Sequence, residues 1–146
     1  MRACAILLLS FVACAESGGE FLEELRELDY RSFARAPGWA TPRLPDQGGP
    51  HGAFLDMYVN DVVDEAVVAA EPLEAWPEGA LIVKDAWADA DGTDLRFIAA
   101  MEKRDGRWFW AEYRGNDDVV AEAIEDPLCT GCHDAGQDGV LAFDLP

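Results

Sequence analysis

Apolar and polar residues follow two different periods along this chain. Between residues 19 and 30, apolar side chains recur three or four positions apart with Glu and Arg between them, which predicts an amphipathic helix. A shorter helix is predicted from 62 to 70, because Asn60 or Asp61 can cap its first turn. Runs rich in β-branched and aromatic residues predict strands at 54–59, 80–87, 95–102, 107–114 and 140–143.

The connections between these runs are short turns. Asp91-Gly92 and Asp105-Gly106 are typical hairpin dipeptides, so neighbouring strands are expected to run antiparallel. Segment 36–52 is rich in Pro and Gly and is expected to be a loop, whereas residues 119–124 are expected to be helical and to end at Pro127. Together these elements predict an α+β fold: a mainly antiparallel β-sheet with an N-terminal helix and one or two further short helices.

The first residues have the composition of an export signal. Arg2 precedes a short apolar run from residue 5 to 13, which predicts a signal peptide because it is too short to span a bilayer. Residues 11–14 (F-V-A-C) fit a lipobox, and residues 13–15 fit ordinary cleavage. We therefore expect a signal peptide at 1–15, cleaved before Cys14 if the protein is a lipoprotein. A tether and the start of the helix follow at 16–29, and one domain covers 30–146. The expected location is the periplasm, with lipid on Cys14 as the only membrane attachment.

The charge of the chain is strongly negative. It has 29 acidic and 11 basic residues, for a formal net charge of −18. This excludes a nucleic-acid-binding surface, which would be basic. Because the acids are spread along the chain, they favour a solubilising surface, and they also suit a basic redox partner protein.

One short motif near the C-terminus predicts a cofactor. Cys129-Thr130-Gly131-Cys132-His133 is a C-x-x-C-H sequence, which is the attachment motif of haem c. The two thiols bond to the vinyl groups at one haem edge, and the histidine that follows binds the iron as proximal ligand. Haem is attached outside the bacterial cytoplasm, so the motif agrees with the predicted signal peptide.

The sixth ligand of the iron would come from upstream of the motif. The 13 residues after His133 contain no His, Met, Lys or Cys. The alternative is a five-coordinate iron with one open face, where a small molecule can bind. The flanking Pro50 and Gly52 favour a turn at His51 over a ligand. The upstream candidates for a sixth ligand are His51, Met57, Lys84, Met101 and Lys103.

Lys84 is unusual in its setting. The chain has two lysines, and this one lies within the predicted strand L-I-V-K-D-A-W, on the same face as Ile82 and Ala86. An amine on an apolar face is held toward its neutral form, in which it is a nucleophile or a metal ligand. A lysine that extends to solvent, or one paired with an acid, is the alternative interpretation.

Five segments resemble the cytochrome P-460 family, over about residues 30–143. The resemblance implies a mainly antiparallel β fold, a homodimer and a five-coordinate haem c with His133 as proximal ligand. Lys84 matches the family's lysine that bonds covalently to the haem macrocycle. The matching segments are 51–61 (HGAFLDMYVND), 77–85 (PEGALIVKD), 99–106 (AAMEKRDG), 108–113 (WFWAEY) and 129–133 (CTGCH).

The resemblance also implies a choice between two activities. Members with the crosslink oxidise hydroxylamine and carry out nitric oxide chemistry, whereas relatives of the cytochrome c′-beta type lack it and bind nitric oxide and other gases. Active members place a distal carboxylate a few residues before the lysine matched to Lys103. The same interval here leads to Ala99, and Glu102 is expected on the opposite strand face. The absence of that carboxylate would remove a proton relay.

Three functions therefore stay open at this stage. The first is an oxidoreductase that acts on a small nitrogen species at a haem crosslinked to Lys84. The second is a non-enzymatic gas-binding protein with an apolar pocket built from residues such as Phe54, Phe97 or Met101. The third is a small electron carrier with a sixth protein ligand, His51 among the candidates.

Overall fold

The computed structural model describes residues 19–46 and 49–146. The predicted signal peptide, the lipidation candidate Cys14 and the first tether residues lie outside these ranges. In the part of the chain that is described, no helix is both long and apolar enough to cross a membrane.

The described chain forms one seven-stranded sheet with three α-helices. The strands are antiparallel in the order β1-β3-β4-β5-β6-β7, and β2 pairs with β3 at its other end. A short 3₁₀ helix at Tyr30–Ser32 follows α1. The elements are α1 Glu20–Glu27, β1 Ala34–Arg35, β2 Leu44–Pro45, β3 Phe54–Val59, α2 Asp61–Ala69, β4 Leu81–Trp87, β5 Leu95–Arg104, β6 Arg107–Arg114, β7 Val119–Ile124 and α3 Pro127–His133.

The predicted mainly antiparallel sheet with an N-terminal helix is confirmed, and four local predictions are wrong. Segment 36–52, expected to be a loop, contains the short strand β2, which pairs with β3. Residues 119–124 form β7 rather than a helix, because they pair with β6 along their whole length. Pro127 begins α3 instead of ending a helix, which suits a residue that lacks a backbone N–H. Segment 140–143 is not a strand: Val140 makes only an isolated bridge to Gln137.

Both faces of the sheet are covered, and strands β3, β4, β5 and β6 each contribute residues to two hydrophobic clusters. On one face α1 packs Phe21, Leu22 and Leu25 against Val83 and Tyr113. We call this the helix face. The residues on the opposite face include Met57, Ile82, Met101, Trp108 and Trp110, and here α2 and the C-terminal segment pack. We call this the cavity face.

Neighbouring residues of β4 point to opposite faces. Asp85 is fully buried on the helix face, where it accepts hydrogen bonds of 2.7 Å from the Tyr30 hydroxyl and of 2.7 Å from Nε of Arg31. Lys84 points to the cavity face. Strand β4 therefore places a buried carboxylate on the helix face and an amine on the cavity face.

Candidate functional site

A cavity of about 470 Å³ lies on the cavity face of the sheet. This volume is in the range of small-molecule and cofactor sites, which is roughly 300–1,000 Å³. Titratable side chains from four separate segments reach it: Asp46, His51, Lys84 and Glu112, besides those of the C-x-x-C-H motif. Most of the wall is apolar and includes Leu55, Met57, Ile82, Met101, Trp110 and Val140.

Helix α3 places the C-x-x-C-H motif at this cavity. Asp126 caps the helix by accepting a hydrogen bond of 2.9 Å from the Leu128 amide, and Pro127 fills the first turn. Both cysteines are free thiols that line the cavity, with Cys129 half-buried and Cys132 exposed. Burial, followed by the charges of Asp126 and Glu112, raises the pKa of Cys129 to about 11. The motif therefore presents two unpaired thiols to one cavity.

His133 is held by one of its two ring nitrogens. Its Nδ1 lies 2.7 Å from the carbonyl oxygen of Gly139, and its ring centre is 4.6 Å from the ring of Trp110. Because the carbonyl can only accept, Nδ1 carries the proton and Nε2 keeps its lone pair. Burial lowers the pKa of His133 despite that hydrogen bond, with Lys84 and His51 lowering it further. A neutral imidazole with a free Nε2 is the form that binds a metal.

The turn that carries Gly139 is fixed by a buried ion pair. Both carboxylate oxygens of Asp138 lie 2.8 Å from Nζ of Lys103, which is only 5% exposed. Asp138 also accepts hydrogen bonds from the Trp76 amide at 2.8 Å and, through its backbone carbonyl, from the Trp108 indole at 2.7 Å. The acceptor for His133 is thus anchored to β5 and β6. Lys103, a candidate iron ligand from the sequence, is engaged in this ion pair.

Lys84 lines the cavity from the same face of β4 as Ile82. It pairs with Met57 of β3 and with Ala99 of β5, both of which also line the cavity. Burial lowers the pKa of Lys84 to about 8, and the negative charges of Asp46 and Glu112 limit the shift. A substantial share of this amine is therefore neutral at mildly alkaline pH.

The cavity contains a carboxylate that the sequence reasoning missed. Ala99 pairs with Glu112 of β6, so Lys84, Ala99 and Glu112 lie in one row across three strands. Glu102 pairs with Leu81 and Phe109 of the helix face and does not line the cavity, as expected. The two-residue period of β6 could have revealed Glu112, because it places this residue on the same face of the strand as Trp108 and Trp110.

His51 is a loop residue that nevertheless lines the cavity. Its Nδ1 is buried and lies 2.9 Å from Oε2 of Glu112, outside the angle of a hydrogen bond. Its ring centre is 6.5 Å from that of His133. Of the other sequence candidates, Met57 and Met101 line the same cavity, whereas Phe97 borders a smaller one that His51 also touches.

Two comparisons with known proteins gave no match, so the function is inferred from the site. No protein-family model matches the chain, and no curated protein matches it. Among residues 19–46 and 49–146, no group of three or more His, Cys, Asp or Glu side chains is arranged to hold a metal ion. Haem iron differs in this respect, because the porphyrin supplies four ligands and the protein one or two.

The residues present fit a covalently attached haem. Cys129 and Cys132 would provide the two thioether bonds, and the free Nε2 of His133 would bind the iron. The observation that carries this fit is the Gly139 carbonyl on Nδ1, since metal-binding histidines commonly donate their other N–H to such an acceptor. Haem iron at this place would give the cavity its redox chemistry.

Proposed function

We propose that this chain is an exported mono-haem c-type cytochrome that binds or redox-converts small nitrogen species. Cys129 and Cys132 attach the haem and His133 is the proximal ligand. The observation that carries the proposal is the C-x-x-C-H helix at an apolar cavity, with His133 held through Nδ1 by Gly139. The form that accepts a ligand has five-coordinate iron and an open sixth position.

The test of the haem is chemical rather than functional. The full-length chain is expressed in a bacterium that matures c-type cytochromes. The purified protein is then denatured, and mass spectrometry measures whether its mass includes a covalently bound haem. We expect one covalent haem in the wild type and in Lys84→Arg, and none in the triple variant Cys129→Ser, Cys132→Ser and Lys84→Arg. Haem that dissociates completely from the denatured wild type would refute the proposal.

For Lys84 we propose a covalent bond from Nζ to a carbon of the haem macrocycle. The bond replaces one C–H bond of the ring and one N–H bond of the amine, and a peroxide takes up the two electrons and two hydrogens as water. The support for this bond is the position of the amine at the cavity wall and its pKa of about 8, which makes a nucleophilic neutral form available. Arg at this position would keep the positive charge but could not act as that nucleophile. We expect a strongly red-shifted ferrous Soret band in the wild type and an ordinary c-type band in Lys84→Arg. An ordinary high-spin spectrum in both proteins would argue against the crosslink.

A second candidate function is gas binding without turnover. The observation that favours it is the apolar wall of the cavity, together with the small Ala99 in the row beside Lys84. The two functions differ in turnover: an oxidoreductase consumes hydroxylamine with an electron acceptor present, whereas a gas-binding protein takes up nitric oxide and leaves hydroxylamine unchanged.

Export and assembly are part of the same proposal. We propose that the protein is periplasmic, with lipid on Cys14 as an optional anchor, and that it forms a homodimer and meets a basic redox partner. Mass spectrometry of the mature N-terminus would show whether Cys14 is lipidated. Sedimentation of the haem-loaded protein would test the dimer, and a monomer at all concentrations would exclude it.

A further inference from the structure

The two histidines of the chain lie close to each other at the candidate haem cavity. They are separated by 82 positions in the sequence, yet their ring centres are 6.5 Å apart. His133 comes from α3, and His51 comes from the loop before β3. Both side chains line the same cavity.

Each of these rings has its Nδ1 next to an acceptor of the protein. For His133 the acceptor is the carbonyl of Gly139 at 2.7 Å, and for His51 it is the carboxylate of Glu112 at 2.9 Å. The terminal torsion of Glu is broad, so a rotation of the Glu112 carboxylate would let it accept a hydrogen bond from Nδ1 of His51, which has no hydrogen-bond partner among the residues that the structure describes. With that bond, Nε2 of His51 would keep its lone pair as Nε2 of His133 does, and this is the form in which histidines bind metals.

The spacing of the rings suits one metal ion between them. Two imidazoles that bind the same ion at roughly 2 Å, with ring centres about 1 Å further back, have ring centres about 6 Å apart. The observed 6.5 Å is close to that value. The distance between the two ring centres therefore fits one metal ion bound by both histidines.

The loop that carries His51 is held against the sheet. The amide of Ala53 donates a hydrogen bond of 3.0 Å to the carbonyl of Trp87. A Cβ atom added at Gly52 would lie 3.1 Å from Cβ of Ala86 and 3.1 Å from the same carbonyl, so the glycine permits the close approach. Packing of this kind fixes the start of β3 and, with it, the position of His51.

We propose that His51 is the second protein ligand of the haem iron in the resting protein, positioned by Glu112. This rests on the proposed function, since it requires the haem on Cys129 and Cys132. A small nitrogen ligand then has to displace His51 before it binds. If His51 occupies the iron in 90–99% of molecules, the apparent affinity for an external ligand falls about 10–100-fold.

The test is the spin state of the ferric haem-loaded protein, read by optical and electron paramagnetic resonance spectra without added ligand. We expect a low-spin wild type and a high-spin His51→Ala variant. Free imidazole should restore the low-spin spectrum in His51→Ala and change the wild type little. Cyanide affinity should rise about 10–100-fold in His51→Ala.

Two matched variants separate His51 from the thioether candidates. Met57→Leu and Met101→Leu remove the methionine sulfurs that line the cavity, and both variants should stay low-spin. A high-spin wild type, or a low-spin His51→Ala without imidazole, would overturn the assignment. If His51→Ala fails to fold, Glu112→Gln serves instead: we expect it to stay low-spin with a raised cyanide affinity, and an unchanged affinity would count against the role of Glu112.

Failure of this inference is distinct from failure of the proposed function. Haem retained on the denatured protein together with a high-spin wild-type spectrum would leave the c-type cytochrome intact and remove only the second ligand. Absence of covalent haem would remove both.

Discussion

Replacing Asp138 with Asn removes the charge opposite Lys103 while it changes the shape of the turn very little. Asp138 has a positive φ of 45°, a conformation that Asn also adopts readily. The amide oxygen of Asn can still accept one of the hydrogen bonds that the carboxylate accepts. The variant therefore isolates the effect of the charge from the effect of backbone strain.

The structure sets the size of the expected loss. The side chain of Lys103 is 6% exposed and that of Asp138 is 18% exposed, so the ammonium group would be left buried without a counter-charge. Breaking a buried ion pair in this way costs about 3–5 kcal/mol of unfolding free energy. We expect about 3 kcal/mol for Asp138→Asn, because the amide oxygen retains part of the interaction.

The assay is urea unfolding of the haem-free protein, followed by tryptophan fluorescence, since Trp76 and Trp108 both contact this turn. Lys103→Met is the matched control. The double variant should be more stable than the sum of the two single losses predicts, by about 1–3 kcal/mol. A loss below about 1 kcal/mol for Asp138→Asn, with no coupling to Lys103→Met, would refute the reasoning.

Three further predictions concern stability. Asn60→Ala should lower the free energy of unfolding, measured with urea, by about 1–2 kcal/mol, because the Asn60 side chain accepts a hydrogen bond from the Val63 amide at the start of α2. An unchanged unfolding midpoint would show that this cap contributes nothing to stability. Tyr30→Phe should lower the free energy of unfolding by about 2 kcal/mol in the same assay, since Asp85 loses a buried hydrogen bond of 2.7 Å. An unfolding midpoint equal to that of the wild type would contradict the prediction. For Lys84, whose pKa falls from 10.5 to about 8 on folding, the unfolded chain binds more protons between these values. The haem-free protein should therefore gain about 2 kcal/mol from pH 8 to 10.5, and Lys84→Met should lack that rise.

The sequence predicted the sheet best where one period dominated. Strand β3 coincides with the predicted 54–59 and β6 with 107–114, since aromatic and β-branched residues there lie between clear turns. Segment V-V-A-E-A-I was misassigned because Ala and Glu favour helices locally. Pairing with β6 overrides that preference, and Glu122 of this strand also accepts a hydrogen bond of 2.7 Å from the Gly19 amide.

The candidate site was only partly predictable. The C-x-x-C-H spacing and the mid-strand Lys84 could be found from local pattern alone, because each carries its chemistry within a few residues. The pairing of His51 with Glu112 joins a loop to a strand 61 positions away, and it depends on the register of three strands between them. No local pattern contains that information, although the face of β6 on which Glu112 lies could have been derived.

The opposite directions of Lys84 and Asp85 have a consequence for how this protein can change over time. A single residue inserted in or deleted from the first half of β4 would exchange the two faces, because side chains alternate along a strand. The carboxylate would then point into the cavity, and the amine would lie beneath Tyr30 and Arg31, where the buried carboxylate now binds. The Asp85 carboxylate would lose both of its hydrogen-bond donors. Insertions and deletions are therefore expected in the loops that flank β4 and not within the strand itself.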